Sequence, residues 1–208
     1  MTRTIIFDMD GTLADSFPLA IDCIKKIAKE EGKDLGIEDF TVLKSKGPFE
    51  VIRDDFKIPL IKIPFYVRKT QKMMEKRINS VKLFKDIKTV INKLSKDYKV
   101  GILSSNSRKN IVSILENNNL EVDFVHSGKS IFGKDKSLNR VLKLHKLKKN
   151  ETIYVGDEIR DVKACNKIDL DCIAVTWGFN TKEVLSPQKP TFICDKPKEI
   201  LKIIKKLD

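Results

Sequence analysis

The stretch TIIFDMDGTLADS, residues 4–16, places Asp8 and Asp10 at the end of a short apolar run. A short apolar run that stops at polar residues is typical of a buried parallel strand. One aspartate after a strand is common in turns, but two like charges around a single methionine need a counter-charge or a chemical task. Gly11 and Thr12 follow, and they indicate a turn in which a side chain at position 11 would be crowded. The stretch therefore predicts a first strand that brings two carboxylates to one point.

Similar apolar runs recur along the chain, and most are followed by a segment with helical periodicity. The runs are TIIFD (4–8), YKVGILS (98–104), VDFVHS (122–127), TIYVGD (152–157), DCIAVT (171–176) and TFICD (191–195). The helical segments lie at 107–118, around 138–142, at 159–168 and near 197–207. This alternation predicts an α/β protein with a parallel sheet covered by helices on both faces.

Between the first two predicted strands the alternation breaks. Ser16 with Pro18 is typical of a helix start, and YVRKTQKMMEKRI (66–78) has the pattern of an amphipathic helix. An interval of roughly 65 residues is too long for an ordinary loop in a compact domain. We therefore predict a small helical insert beside the carboxyl end of the first strand. The predicted boundaries are core residues 1–15 and 82–208 and cap residues 16–81.

The composition is that of a folded, basic protein. The 208 residues are 41% hydrophobic, and 41 Lys+Arg against 29 Asp+Glu give a net charge of +12. Such an excess raises the question of an anionic partner, either a nucleic acid or a phosphorylated metabolite. The lysines are scattered and alternate with helix-core apolar residues, which favours solvated helix faces. Nucleic acid is therefore a minor hypothesis.

The cysteines and the apolar runs bear on the compartment. None of the cysteines forms a Cys-x-x-Cys pair, and all lie in apolar runs, which is typical of reduced thiols in the core of a cytosolic protein. They are Cys23, Cys165, Cys172 and Cys194. The N-terminus lacks the pattern of a signal peptide, and no run approaches the ~18 apolar residues of a membrane span. We expect a soluble cytoplasmic protein without a membrane partner.

Polar residues follow four of the predicted strands, where ligands of open α/β sheets bind. In chain order they are Asp8 with Asp10, then Ser104, Ser105 and Asn106, then Lys134 with Lys136, then GDEIRD at 156–161. The segments DMDGTLADS, GILSSNS, a lysine before a helix and VGDEIRD resemble, in this order, the four signatures of the haloacid dehalogenase superfamily of phosphatases. The resemblance covers essentially the whole chain.

The insert is similar to the helical cap that phosphoglycolate-phosphatase-like members carry between their first and second motifs. The resemblance implies a Rossmann-like doubly wound parallel sheet with a small α-helical cap domain. It also implies a magnesium-dependent phosphatase that hydrolyses a small phosphorylated metabolite through an aspartyl-phosphate. The chemistry is coherent, because a carboxylate can attack a phosphoryl group when a cation neutralises the repulsion between the two anions.

The resemblance also implies roles for the acidic residues. Asp8 is the nucleophile and a Mg²⁺ ligand, whereas Asp10 contributes its backbone carbonyl to the metal. The Asp10 side chain acts as general acid on the leaving alcohol and then as general base for water. Asp157 is the third metal ligand, and Glu158 or Asp161 orients metal-bound water or Lys134 from outside the ligand set.

The remaining predicted residues hold the phosphate. Amides of Gly11 and Thr12 and the hydroxyl of Ser104 are expected at the phosphoryl oxygens. Two serines precede Asn106, so Ser105 stays open as a substitute or as a source of an amide.

A fixed positive charge is also needed. Lys134 is preferred, because a helix is expected about four residues later, but Lys136 stays open. Some other residues could border the site but are more simply structural or solvated. They are His126, His145, Trp177, Lys44, Lys46 and Arg53.

Other functions fit parts of the pattern. A haloacid dehalogenase proper would share Asp8 but lacks the acid at position 10, because a halide needs no proton. A phosphomutase or phosphotransferase of the same superfamily keeps every residue and changes only the acceptor. A phospho-signalling receiver would need an acceptor aspartate after the third strand, where this chain has VHSG. A nucleic-acid-binding protein would need clustered positive charge. We therefore favour the phosphatase, and the sequence does not indicate its oligomeric state.

Overall fold

The computed structural model describes residues 2–32, 40–46, 50–128 and 133–207. Each predicted apolar run forms a strand, and the strand ends lie within two residues of the predicted ones. The strands are β1 (Thr4–Phe7), β2 (Lys99–Ser104), β3 (Phe124–Ser127), β4 (Thr152–Gly156), β5 (Asp171–Val175) and β6 (Phe192–Cys194). All pair in parallel in one sheet of order β3-β2-β1-β4-β5-β6. The predicted α/β fold with a doubly wound parallel sheet is confirmed.

Helices connect the strands as predicted. They are α1 (Phe17–Glu30), α2 (Ile63–Glu75), α3 (Ile87–Leu94), α4 (Arg108–Asn117), α5 (Lys134–Leu144), α6 (Ile159–Lys167), α7 (Lys182–Leu185) and α8 (Pro197–Leu207). One expected start is wrong. Helix α5 begins at Lys134 itself rather than about four residues later, because Gly133 takes a left-handed conformation with φ 79° at the N-cap and the chain turns directly into the helix.

The strand order places a reversal of chain direction beside β1. The chain runs from β1 outward through β2 to β3 and then returns to β4 on the other side of β1. Phe7 lies opposite Ile102 on one neighbour and Val155 on the other. The Asp8 N–H continues the ladder and donates to the Val155 carbonyl at 2.8 Å. Asp8 therefore sits where β1 and β4 diverge, at the switch point where open α/β sheets bind ligands.

The core lies on both faces of the sheet. Ile5 and Phe7 of β1 point into one apolar cluster, which includes residues of α3, α4 and α8. Ile6, on the opposite face, belongs to a second cluster with residues of α5, α6 and α7. All three β1 side chains are fully buried, so the near-continuous apolar run reflects burial on two sides. The sheet is therefore a rigid support for the residues that follow its strands.

The described parts of the predicted cap region are helical. Helix α1 packs against α2, and a separate small cluster contains Ile21, Leu43 and Phe56. The chain enters and leaves this region side by side, since the Asp15 N–H donates to the Lys82 carbonyl at 2.9 Å. This contact supports the division into core and cap at these positions, which stays a prediction. Within the described ranges, no helix is both long and apolar enough to cross a bilayer.

Candidate active site

Three buried carboxylates converge at the carboxyl ends of β1 and β4. Asp8 follows β1, Asp157 follows β4, and Asp161 lies in the first turn of α6. One oxygen atom of each lies within 4.8 Å of the others. Burial raises the pKa of Asp157 well above its usual range, and the neighbouring carboxylates of Glu158, Asp161 and Asp8 raise it further. Burial and the neighbouring carboxylates thus both disfavour the charged form of Asp157.

Glycines make room for this cluster. Gly11 has φ 78°, and a Cβ atom built on it would overlap the Asp157 carboxylate. A Cβ atom added at Gly178 would overlap the same side chain from another loop, and one added at Gly156 would overlap the carboxylate of Asp161. The backbone is thus shaped around two specific acidic side chains. The crowding predicted for position 11 is confirmed, and Asp157 is the group that causes it.

Lys134 is the cation in contact with the cluster. Its Nζ atom lies 2.9 Å from Asp8 Oδ2 and forms an ion pair with Asp161. Burial opposes the charge, but Asp161 and Asp8 raise the pKa of Lys134 above its ordinary value, so the ammonium stays charged at neutral pH. Lys136, the open alternative, is exposed in the first turn of α5. Of the two lysines, the structure brings Lys134 to the acidic residues.

Asp10 has different surroundings from Asp8. Its Oδ1 accepts hydrogen bonds from Ser16 Oγ at 2.6 Å and from Asn106 Nδ2 at 3.1 Å, and its Oδ2 accepts one from Ser104 Oγ at 3.3 Å. Enclosure by the surrounding protein raises the pKa of Asp10, and the hydrogen bond from Ser16 partly offsets this effect. Its carboxylate is outside the three-carboxylate cluster. The two aspartates of the opening stretch therefore meet different partners.

The loop after β2 brings three predicted residues to the site. The buried Ser104 hydroxyl accepts a hydrogen bond from the Asn106 N–H at 3.1 Å. Ser105 has other partners: its carbonyl accepts from Gln71 Nε2 of α2 at 3.0 Å, and its hydroxyl accepts from Arg160 Nη2 at 3.3 Å. The two serines, which the sequence did not separate, thus have distinct partners. Ser104 lies against Asp10, and Ser105 lies between α2 and α6.

Thr12 orients Asp157. Its Oγ1 donates to Asp157 Oδ1 at 2.7 Å, and the Phe179 N–H donates to Asp157 Oδ2 at 2.7 Å. Trp177 Nε1 in turn donates to the Thr12 carbonyl at 3.0 Å. Trp177 therefore packs locally beneath the site, which is the simpler of its two predicted roles.

A cavity of about 200 Å³ opens above these residues. Its floor and its wall differ in chemistry. The floor comprises Asp10, Gly11, Ser105, Asn106, Asp157 and Glu158, and the wall comprises Ser16, Phe17, Ala20, Gln71, Met74 and Phe179. A second cavity of about 180 Å³ lies between α1 and α2, and its lining is mainly apolar. No predicted site residue lines that second cavity, so the chemistry belongs to the first.

The donor set of the carboxylate cluster fits a hard divalent cation. Its acidic groups offer only oxygen atoms, which Mg²⁺ and Ca²⁺ prefer. Glu158 Oε2 is buried, and no hydrogen-bond donor to it is present among the described residues. A hydrated cation nearby would satisfy this acceptor. The cluster of Asp8, Asp157 and Asp161 is therefore compatible with a metal ion.

Some site residues were missed by sequence reasoning. Helix α1 begins directly after Ser16, as predicted, but the Ser16 side chain makes no cap hydrogen bond and donates to Asp10, which the sequence does not indicate. Arg160 could have been predicted as a site residue, because it lies between Glu158 and Asp161 in the segment GDEIRD. Gln71 and Phe179 carried no signal, because only packing brings them to the cavity.

The other residues that could border the site by sequence, the two histidines and the basic residues of the cap, have local partners. His126 and His145 contact each other with their Nε2 atoms 2.8 Å apart, away from the cavity lining. Lys46 pairs with Asp55 and Arg53 pairs with Asp54. Lys44 Nζ donates to the Gly178 carbonyl at 3.0 Å. The simpler structural interpretation of these residues agrees with their contacts.

The structure thus combines a doubly wound parallel sheet with buried carboxylates at its switch point, which is where ligands of this class of α/β protein bind. The family model described as haloacid dehalogenase-like hydrolase matches residues 5–175. The chain belongs to this family, and the predicted resemblance is confirmed.

Named relatives agree with this assignment. A phosphoglycolate phosphatase of Synechococcus elongatus is 30% identical over 209 residues, which cover 99% of this chain and 98% of the relative. Pyrophosphatase PpaX of Bacillus mycoides is 24% identical over 215 residues, covering 99% and 98%. A solved haloacid dehalogenase-like family protein from Streptococcus pneumoniae has the same fold, with a TM-score of 0.84, 23% identity and 98% of each chain covered. The chain is thus a hydrolase similar to phosphatases, and nucleic-acid binding is not favoured.

Proposed function

We propose that the protein is a magnesium-dependent phosphatase that hydrolyses a small phosphorylated metabolite through an aspartyl-phosphate on Asp8. The observation that carries the proposal is the difference between Asp8 and Asp10. Asp8 is buried against the Lys134 ammonium at the carboxylate cluster, whereas Asp10 is held by hydroxyl and amide donors beside the cavity. One environment suits a charged nucleophile, and the other suits a group that exchanges protons.

The metal would be held by the carboxylates of Asp8 and Asp157 and by the backbone carbonyl of Asp10. When bound, Mg²⁺ would neutralise the charge that accumulates where a carboxylate meets a phosphate. Asp161 is close enough to be a further ligand or to act through Lys134, with which it pairs. Glu158 would accept a hydrogen bond from the hydration shell.

In the first step an oxygen of Asp8 forms a bond to phosphorus while the bond from phosphorus to the leaving oxygen breaks. Asp10 donates a proton to that oxygen, so the product leaves as an alcohol. Asp10 then takes a proton from water, whose oxygen attacks phosphorus and breaks its bond to Asp8. Phosphate and the free carboxylate result. Lys134 keeps Asp8 oriented and balances its charge throughout.

The phosphoryl oxygens would meet donors from two loops. The Gly11 N–H, an expected donor, donates instead to the Ala14 carbonyl at 2.9 Å, so Gly11 would contribute only room for the phosphate. The Thr12 amide is proposed from the loop after β1, and the Ser104 hydroxyl is proposed with Ser105 and Asn106 from the end of β2 and the loop after it. Gly11, Ser105 and Asn106 line the cavity. Preorganised donors of this kind stabilise charge that develops in the transition state.

The cap would close over the site, exclude water and select the leaving group. A cavity of about 200 Å³ suits a small phosphoester. Phosphoglycolate and similar small phosphomonoesters are therefore the proposed substrates, consistent with the names of the relatives. Buried free thiols at all described cysteines support a reducing cytoplasmic location.

The decisive test is Asp8→Asn with p-nitrophenyl phosphate and Mg²⁺. We expect turnover to fall at least about 10³-fold, because an amide is a far weaker nucleophile than a carboxylate. Asp15→Asn is the matched control, since Asp15 is exposed and outside the cavity lining. EDTA should abolish wild-type turnover, and Ca²⁺ should restore it poorly. Turnover by a folded Asp8→Asn variant at the wild-type rate would overturn the mechanism. Assays of wild type with a panel of phosphorylated metabolites would identify the substrate.

A further inference from the structure

Arg160 connects two loops of the site. It lies in the first turn of α6, and its side chain is 19% exposed. Its Nη2 atom donates to Glu158 Oε1 at 2.7 Å and to Ser105 Oγ at 3.3 Å. Glu158 belongs to the acidic turn after β4, whereas Ser105 belongs to the loop after β2. One guanidinium thus joins the acidic turn to a loop proposed to bind phosphate.

Charge explains why a cation lies here. The cluster around Asp8 already occupies Lys134, which pairs with Asp8 and Asp161. Glu158 is 8% exposed and needs its own counter-charge. Arg160 supplies it, and arginine stays charged even when it is largely buried. The second carboxylate environment of the site is therefore balanced by a second, separate cation.

Ser105 receives support from both sides. Arg160 reaches its hydroxyl from the core, and Gln71 of α2 donates to its carbonyl at 3.0 Å. Ser105 and Gln71 both line the cavity, whereas Arg160 is not part of its lining. Arg160 therefore acts on a ligand in the cavity through Ser105 and Glu158 rather than by touching it.

We propose that Arg160 is a positioning residue that holds the Ser105 loop and Glu158 in the arrangement that binds the phosphate group. The proposal rests on the proposed function, because it takes that ligand to be a phosphate. The planar guanidinium offers several donors at fixed angles, so it can bridge two acceptors that belong to different loops. Holding these groups in place before the ligand arrives lowers the ordering cost of binding.

The test measures phosphate binding as well as turnover. Inorganic phosphate is titrated calorimetrically into wild type, Arg160→Gln, Arg160→Lys, Ser105→Ala and the double variant, all in saturating Mg²⁺. We expect Arg160→Gln to raise the Kd of phosphate and the KM of p-nitrophenyl phosphate about tenfold, as for the loss of one charge-assisted hydrogen bond, with a smaller change in kcat. Arg160→Lys should recover part of this loss, because an ammonium can still pair with Glu158.

The double variant shows whether Arg160 acts through Ser105. If it does, adding Ser105→Ala to Arg160→Gln should change the Kd less than the product of the single effects. Arg108→Gln is the matched control, since Arg108 also begins a helix and donates to another element, the Val125 carbonyl, but is outside the cavity lining. It should bind phosphate like wild type.

Several results would overturn the proposal. They are unchanged phosphate affinity in Arg160→Gln, a lower melting temperature as the only effect, or fully multiplicative losses in the double variant. Phosphate binding without turnover by wild type would refute the phosphatase and still test Arg160 through the Kd. Wild type that binds no phosphate at all would refute both.

Discussion

The carboxylate cluster of Asp8, Asp157 and Asp161 and the helical cap are built from opposite kinds of contact. At the cluster, Lys134 pairs with Asp8 where their side chains are only 9% and 2% exposed. In the cap, Lys46 pairs with Asp55 with side chains that are 36% and 21% exposed. The same two chemical groups therefore meet in two dielectric environments. The buried pair depends strongly on both partners, whereas the partly exposed pair is screened by water.

This difference separates the tasks of the two regions. The carboxylate cluster holds its charges against Lys134, and the proposed chemistry requires charges in fixed positions. The wall that the cap contributes is largely apolar and contacts the loop after β2 through the amide of Gln71. Changes at the carboxylate cluster should therefore affect both stability and turnover, whereas changes in the cap should have smaller effects.

The largest expected effect comes from Lys134→Met. Its removal leaves Asp8 and Asp161 buried without their cation, so we expect the free energy of unfolding to fall by about 3 kcal/mol in metal-free buffer, together with loss of turnover. Lys46→Met, the matched cap variant, should cost less than about 1 kcal/mol. Urea denaturation of both variants measures the difference. Equal losses would show that burial does not separate the two pairs.

A smaller effect on stability and turnover is expected when alanine replaces either of two glycines, Gly11 at the site or Gly32 in the cap region. Gly11 and Gly32 have φ 78° and 65°, so alanine at either position is strained by about 1–2 kcal/mol. At Gly32, in the cap region, an added Cβ meets nothing within 4 Å, whereas at Gly11 it overlaps the Asp157 carboxylate. Gly11→Ala should therefore lose more stability than Gly32→Ala and lose turnover about 100-fold. Thermal melts and p-nitrophenyl phosphate assays compare the two variants. Similar melting temperatures together with similar turnover would contradict the predicted clash between the added Cβ and Asp157.

The smallest effect is expected outside both regions, at the His126 and His145 pair. Burial lowers the pKa of both rings, and His145, Arg108 and Arg140 lower that of His126 further, while Lys99 lowers that of His145. The folded state thus binds protons less readily than the unfolded chain, whose histidine pKa is about 6.5.

The stability that this pair contributes is present above pH ~6.5 and is lost as the pH falls through the lower pKa values of the folded state. Between pH ~7.5 and ~5.5, wild type should lose up to about 1 kcal/mol more than His145→Gln, a small difference because both rings are partly exposed. Urea denaturation at each pH measures it. Parallel pH curves for the two proteins would contradict the prediction.

Much of the fold was predictable because burial on both faces leaves a strong local pattern. The β1 run TIIF is fully apolar apart from Thr4, and the structure buries all of it. The predicted start of α5 is about four residues too late, because hydrophobic periodicity does not report the left-handed conformation of Gly133. The predicted acidic residues, Lys134 and the loop after β2 do meet at one edge, although their roles stay proposals.

Sequence alone determined which residues stand at strand ends, because strand ends are set by local apolar runs and the polar residues that stop them. It therefore identified Asp8, Asp10 and Asp157 as candidates, along with two lysines and two serines. Only the tertiary structure separated Lys134 from Lys136, gave Ser104 and Ser105 different partners, and brought Arg160 and Gln71 to Ser105. The physical reason is that these contacts depend on strand order and helix packing across large sequence separations, which no local pattern encodes.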